Sequence, residues 1–178
     1  PHKVFDNKLK QNFTADEINR KWCTDFTYLF LANHEVRYNC TIIDLHDRSV
    51  IASITDHNIT SDLAIRTLRK ALESQPTIKD GLILHSDQGS QYTSKAFTEF
   101  CESVNVTQSM SKAGYPYDNA PMERYFNTLK NECTNLYEFT TEETLYQKVE
   151  EFAYVDYNHV RPHSYNGYRT PYEARTAA

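Results

Sequence analysis

Three carboxylates stand where local structure alone gives little reason to put them. Asp25 lies inside the aromatic and β-branched run WCTDFTY, Asp87 ends the apolar run of LILHSDQGSQYTS, and Glu123 follows a proline in DNAPMERYF. An acid in the middle of a strand is disfavoured by propensity and by burial. An acid at the carboxyl end of a buried strand stands where open α/β sheets bind ligands. If the two strands are neighbours, Asp25 and Asp87 lie side by side, and such a pair repels unless it shares a proton or a cation. Hard divalent cations such as Mg²⁺ prefer oxygen ligands of this kind. Taken singly, each acid has a plain explanation. A strand aspartate can sit at an edge, Asp87 can start a turn before QGS, and Glu123 suits the positive end of a helix. Together they point to metal-assisted chemistry.

The elements that must position them are legible from periodicity. Residues 22–31, 36–45 and 49–55 read as three strands joined by short polar gaps, an antiparallel meander. Residues 60–75 switch to helical spacing, with Ala64, Leu68, Ala71, Leu72 and Gln75 on one side and Thr60 or Ser61 as the cap. Strands follow at 81–87 and 106–110, separated by a helix over 95–104. A helix is expected over about 120–134, entered through the turn residues Gly114 to Asn119, with Asp118 or Asn119 as its cap and Pro121 in its first turn. On a helical wheel Met122, Phe126, Leu129 and Cys133 form the core stripe. Glu123, Asn127 and Lys130 fall beside that stripe, along the edge that can reach a sheet. A last long helix starts near residue 139, with Thr140 and Glu143 as a capping box. The order βββ-α-β-α-β-α-α gives an α/β layer sandwich, a mixed sheet of five strands with helices on both faces.

Composition narrows the function. The chain has 178 residues, enough for one domain with a substantial core. No run of 18 apolar residues exists, so a membrane partner is not expected. The four cysteines, Cys23, Cys40, Cys101 and Cys133, form no CxxC, and no HExxH appears, which argues for buried thiols and against zinc. Only four glycines are present, so there is no Gly-rich phosphate loop. A net charge of −5 excludes a simple DNA-coating protein but not an enzyme whose carboxylates bind cations. The polar start, PHKVFDNKLKQNF, has neither an initiator methionine nor a signal peptide. Residues 1–20 are therefore expected to be an arm or linker before a core at 21–178, in a piece of a longer protein.

The spacing of the acids completes the reading. Asp25 and Asp87 are 62 positions apart, and 35 residues separate Asp87 from Glu123. This resembles the D,D(35)E signature of retroviral-integrase-like transposases. The words WxTDxTY, HSDxGSQYTS, MSKAGYPYDNAPMExxFxxLKxE and YNxxRPHxxxGYxTPxE resemble the second-reading-frame transposases of bacterial insertion sequences, from about Trp22 to Arg175. One departure is the SYN before GYRTP, where relatives more often carry a leucine. The resemblance implies a ribonuclease H-like fold and, in the longer protein, an N-terminal helix-turn-helix DNA-binding region. It implies that Asp25, Asp87 and Glu123 hold two Mg²⁺ or Mn²⁺ ions, with Asp25 bridging them. It implies cleavage of phosphodiester bonds at element ends and strand transfer of the freed 3′-OH to a new DNA site. The expected partners are DNA and further copies of the chain in a synaptic complex, in the bacterial cytoplasm and at the nucleoid when bound. The alternatives are a metal-dependent nuclease of the same fold that does not join strands, and a non-catalytic assembly module.

Weaker candidates surround the acids. Lys130 and Lys112 are candidate phosphate contacts, and Asn119 either meets DNA or caps its helix. Arg161 and His163, in NHVRPHS, meet phosphate or fix the tail to the body. His85 and Ser86 are expected to support Asp87, while Asp44 and Asp47 read as turn residues.

Overall fold

The computed structural model of the chain describes residues 2–177. Five strands, β1 (Lys21–Phe30), β2 (Val36–Asp44), β3 (Val50–Asp56), β4 (Ile83–Ser86) and β5 (Thr107–Met110), form one sheet in the order β3-β2-β1-β4-β5. The first three run antiparallel, whereas β4 pairs parallel to β1, and β5 parallel to β4. Side-chain alternation then divides the core into two. Trp22, Ile42, Ala52 and Leu84 face one layer with α1 (Ser61–Ser74), the short α2 (Ser90–Thr93) and α3 (Lys95–Ser103). Cys23, Leu29, Ile43, Leu45 and Val50 face the other with α4 (Ala120–Glu132) and α5 (Glu142–Glu151). The expected mixed sheet of five strands with helices on both faces is what the structure has.

The register explains the 62-residue interval. Lys21 pairs with Ile83, Trp22 with Leu84 and Cys23 with His85, each at an offset of 62. Continued two residues, the same ladder sets Asp25 in line with Asp87. Two residues is also the side-chain period of a strand. Asp25 therefore shares the face of Cys23, which packs in the same cluster as Met122 of α4.

The helices follow their sequence signals with instructive exceptions. Thr60 caps α1 by accepting from the Leu63 N–H, and Leu63, Ala64, Thr67, Leu68 and Ala71 are its buried side. In α4 the expected stripe of Met122, Phe126, Leu129 and Cys133 is buried, together with Tyr125. The cap of α5 falls one residue later than expected. Thr141, not Thr140, accepts from the Thr144 N–H, and no Thr140–Glu143 box forms. Beyond Glu151 the helix also widens to a π-helical segment, Phe152–Val160. From this segment Tyr154 and Asn158 reach the outer edge of β3. The Tyr154 hydroxyl accepts from the Ser53 N–H at 2.7 Å and donates to its carbonyl at 3.3 Å. The Asn158 amide does the same for Val50, at 2.8 and 3.0 Å.

Residues 2–20 carry no strand or helix, yet they lie against the body. The Met110 N–H donates to the Asp6 carbonyl, the Lys8 N–H donates to Ser109 Oγ, and Leu9 is buried in the α4 layer. At the other terminus, α6 (Pro171–Thr176) delivers Arg175 to the end of β2. Its Nη1 donates to both Asp44 and Asp47 at 2.9 Å, and its Nη2 to Asn19 and Gln75 at 2.8 Å. The reading of Asp44 and Asp47 as turn residues holds but is incomplete. They do shape the β2–β3 turn, through the His46 and Ser49 N–H groups, but both are also fully buried partners of one arginine.

Candidate active site

β1 carries Asp25, the turn after β4 carries Asp87, and the first turn of α4 carries Glu123. All three line one cleft of about 430 Å³, whose far wall is the 111–116 loop. Asp25 Oδ1 accepts from the Phe26 N–H at 2.8 Å. Burial, then the charge of Asp87 and, more weakly, that of Glu123, push the Asp25 carboxyl up to about 7, against the Phe26 hydrogen bond. None of the three acids forms an ion pair with a lysine, arginine or histidine among the described residues, whose arginine pairs are those of Arg37, Arg66, Arg161 and Arg175. The cluster holds negative charge that no side chain neutralises.

Asp87 is fixed by its own turn. Its Oδ1 accepts from the Gly89 N–H at 2.8 Å. A Cβ on Gly89 would stand 2.8 Å from that same oxygen, closer than carbon and oxygen tolerate. An added methyl group would have to displace that carboxylate, while the backbone itself would accept it, since the Gly89 φ is an ordinary −56°.

Asp118 and Asn119 tie the three acid-bearing elements together. His85, two residues before Asp87, donates from Nε2 to the Asp118 carbonyl at 2.7 Å, which leaves Nδ1 to accept from Ser109 Oγ. Burial lowers the His85 pKa, in keeping with a neutral ring. Asn119 donates from Nδ2 to the carbonyl of Thr24, the residue before Asp25, at 3.1 Å. Four residues later the chain reaches Glu123. The Asp118 carboxylate accepts from the Lys112 N–H, from Asn7 and from Gln11, which fastens the 112–118 loop and the N-terminal residues to one point. The expectation that either residue caps α4 is therefore corrected. Asn119 makes no capping bond, because its amide is turned to the sheet, and the Asp118 oxygens are taken by the loop and the arm.

The structure distributes the weaker candidates differently. Lys112 is exposed and lines the acid cleft, and Asn119 lines it from a buried position. Lys130 is half-buried on α4 and does not line the cleft. Arg161 is bound to Glu132 through Nε at 2.9 and 3.0 Å. His163 is buried. Its Nδ1 accepts from the Tyr165 N–H, so its proton sits on Nε2, which donates to the Tyr157 hydroxyl at 3.1 Å. Burial and the nearby Arg161, Arg48 and Arg124 charges push its pKa down to about 4. Arg161 and His163 thus fix the tail to the body, the second of their two expected roles, and His163 borders a different cleft. Sequence reasoning missed Gly89 as the residue that seats Asp87; the only signal was its place two residues after the acid. It also missed the Asn119–Thr24 bond, which joins residues 95 positions apart and has no local signature.

The donor set suits a hard divalent cation: three carboxylates, no opposing side-chain charge, and one acid whose ionisation is held back by its neighbours. Among the described residues no three His, Cys, Asp or Glu side chains are already grouped closely enough to hold a metal ion. The acids share a cleft, and drawing them onto a cation needs side-chain adjustment.

Many known proteins are similar to this chain. The chain is 35% identical over 168 residues to the transposase InsF for insertion sequence IS3A of Escherichia coli strain K12, and 34% identical over 168 residues to the insertion element IS600 uncharacterized 31 kDa protein of Shigella sonnei. Each match takes in 94% of this chain, which spans 58% and 61% of those relatives. Among solved structures, the HTLV-2 integrase catalytic core domain in complex with magnesium superposes with a TM-score of 0.69 at 18% identity, over 90% of this chain and 99% of that one. A chain of the simian T-cell lymphotropic virus intasome reaches 0.79 at 16% identity, over 100% of this chain and 60% of that one. These likenesses establish the ribonuclease H-like fold of the retroviral integrase cores. Models of the integrase core domain match residues 15–116 and 104–171, and between them these spans contain Asp25, Asp87 and Glu123. On sequence and on fold alike, the chain belongs to the integrase core domain family.

Proposed function

We propose that residues 21–178 are the catalytic core of a transposase that cuts DNA at the ends of an element and joins the freed 3′-OH to a second DNA site. The observation that carries this reading is the parallel β1–β4 register, which sets Asp25 in line with Asp87 in the cleft that Glu123 also lines. Asp25, Asp87 and Glu123 would hold two Mg²⁺ or Mn²⁺ ions; the magnesium complex of the HTLV-2 core supports a divalent cation in this fold. When bound, the ions supply Lewis acidity toward the scissile phosphate and activate the attacking hydroxyl. The chain's own residues do the positioning. Asp25, whose proton its neighbours favour, would serve as a ligand in its ionised form. The Gly89 N–H orients Asp87, and α4, pinned through Asn119, presents Glu123. Lys112, on the cleft wall, meets a phosphate oxygen, and Lys130 meets the strand further along α4. Hydrolysis and joining are both in-line attacks at phosphorus, so one geometry serves both.

Residues 1–20 act as an arm, and the longer protein carries a helix-turn-helix region for the element ends. Joining two ends calls for several copies of the chain, as the dimeric and trimeric forms of the HTLV-2 core support. Such an activity belongs where bacterial DNA is, in the cytoplasm and at the nucleoid. Incubating the chain with labelled element ends, supercoiled plasmid and Mn²⁺ tests the reading. Joined products that vanish with Asp87→Asn are expected. Nicks without joining would instead identify a nuclease of the same fold, and products that survive Asp87→Asn would overturn the active site.

A further inference from the structure

A larger cleft, of about 620 Å³, lies on the other flank of α4 and has no part in the chemistry above. Its volume is in the range that encloses a nucleotide-sized ligand. It meets the acid cleft at Glu123, which lines both. Two arginines face it: Arg48 from the β2–β3 turn, and Arg124, the residue after Glu123. Arg48 is half-buried. Its Nη1 donates to the Phe13 and Leu45 carbonyls, and its guanidinium stacks on the Tyr165 ring at 3.8 Å. Arg124 is exposed. Neither has a carboxylate partner among the described residues, where the arginine ion pairs belong to Arg37, Arg66, Arg161 and Arg175. The second acid of the cleft, Glu132, is neutralised by Arg161. In a chain of net charge −5, this cleft keeps two uncompensated cations beside the acid cluster. Their field also contributes to the low pKa of His163.

A guanidinium that is half-buried, stacked and unpaired suits an incoming phosphate, which it can grip through two parallel N–H donors. We propose that this cleft binds the phosphodiester backbone of the DNA strand adjoining the scissile bond, with Arg48 and Arg124 on a phosphate and the rings of Tyr117 and Tyr165 as platforms for a base. Tyr117 is 74% exposed and offers an open ring, whereas Tyr165, at 40%, already carries Arg48 on one face and can stack a base only on the other. The strand then passes from the acid cleft over the first turn of α4. The inference rests on the transposase reading, because it requires DNA in the acid cleft. The phosphate could come from the element end or from the target DNA; both present the same chemistry.

Fluorescence anisotropy of labelled element-end and target oligonucleotides, titrated with salt, tests the site. Each phosphate contact adds about 1 to the slope of log K against log salt. Arg124→Gln is expected to lower that slope by about 1, and Arg48→Gln by about 1 more. Arg124→Lys should retain most of it. A single neutral methylphosphonate next to the scissile position should reproduce the Arg124→Gln loss, and Arg124→Gln should add nothing on that oligonucleotide. Whichever strand shows this identifies the source of the phosphate. Because Arg48 also bonds two backbone carbonyls, thermal melts accompany its variant, and Arg124→Gln, on an exposed side chain, decides. Unchanged slopes in a chain that still nicks and joins DNA would overturn the cleft and leave the transposase reading intact. Arginine-dependent binding in a chain that never cuts would overturn the transposase reading and, with it, the strand's place beside a scissile bond, leaving only a DNA-binding cleft.

Discussion

Asp87 depends on a hydrogen atom. The space between its Oδ1 and the Gly89 backbone leaves no room for a methyl group, so Gly89→Ala must push the carboxylate aside while the φ of −56° stays allowed. The expected result is a fold that melts nearly as the parent does, with DNA joining reduced about 100-fold, the scale of a 1 Å misplacement at a reacting centre. Steady-state joining assays beside thermal melts check it; equal losses of stability and activity would reduce Gly89 to a structural residue. His163 gives a prediction in the acid range. Its folded pKa of about 4 lies below the ordinary histidine value of 6.5, so the unfolded chain takes up a proton that the folded chain refuses. Stability present above pH 6.5 is therefore lost as pH falls toward 4, by about 2 kcal/mol at pH 5. Urea unfolding at pH 7 and pH 5 should show this loss, and His163→Gln should remove that component.

At the scale of elements, the strands, α1, α3 and α4 begin and end within a residue or two of where periodicity puts them, because periodicity reports burial and burial forms the sheet, whereas α5 starts only at Glu142 and widens after Glu151. The register was legible too, once β1 and β4 are neighbours, since the interval between two acids equals the ladder offset. What stayed hidden are side chains that bond distant backbone. Asn119 has the look of a helix cap but serves the Thr24 carbonyl, and Tyr154 and Asn158 have the look of helix-face residues but serve β3. Such bonds answer to tertiary neighbours and leave no trace in local spacing. Asn119→Ala separates the two roles. It deletes the donor to Thr24, but also a buried Oδ1 that has no partner among the described residues. Stability should therefore fall by only about 1 kcal/mol, while joining activity falls well beyond that as β1 and α4 lose their tie. A variant as active as the parent would show that the elements hold their alignment without it.

Over the whole molecule, the C-terminal helix α6 closes through Arg175 on Asn19, just before β1. One cation there answers two fully buried aspartates, and burial followed by the Asp47 charge raises the Asp44 pKa. Breaking a buried ionic group by removing one partner costs about 3–5 kcal/mol. Arg175→Ala should cost about that much by urea denaturation, a large part of what a domain of this size possesses. A loss below about 1 kcal/mol would mean that water already reaches the pair.

The borders of the sheet bear on how copies of the chain can meet. A bare edge strand invites another chain to extend it. Here the Tyr154 hydroxyl and the Asn158 amide occupy the outer backbone of β3, and the segment around Asp6 and Lys8 lies along β5. Both borders are thus partly covered against a neighbour's strand. On the proposed transposase reading, protomers gathered on two DNA ends would meet through helical faces, loops or the DNA itself, and such an assembly could come apart without either protomer unpicking its core.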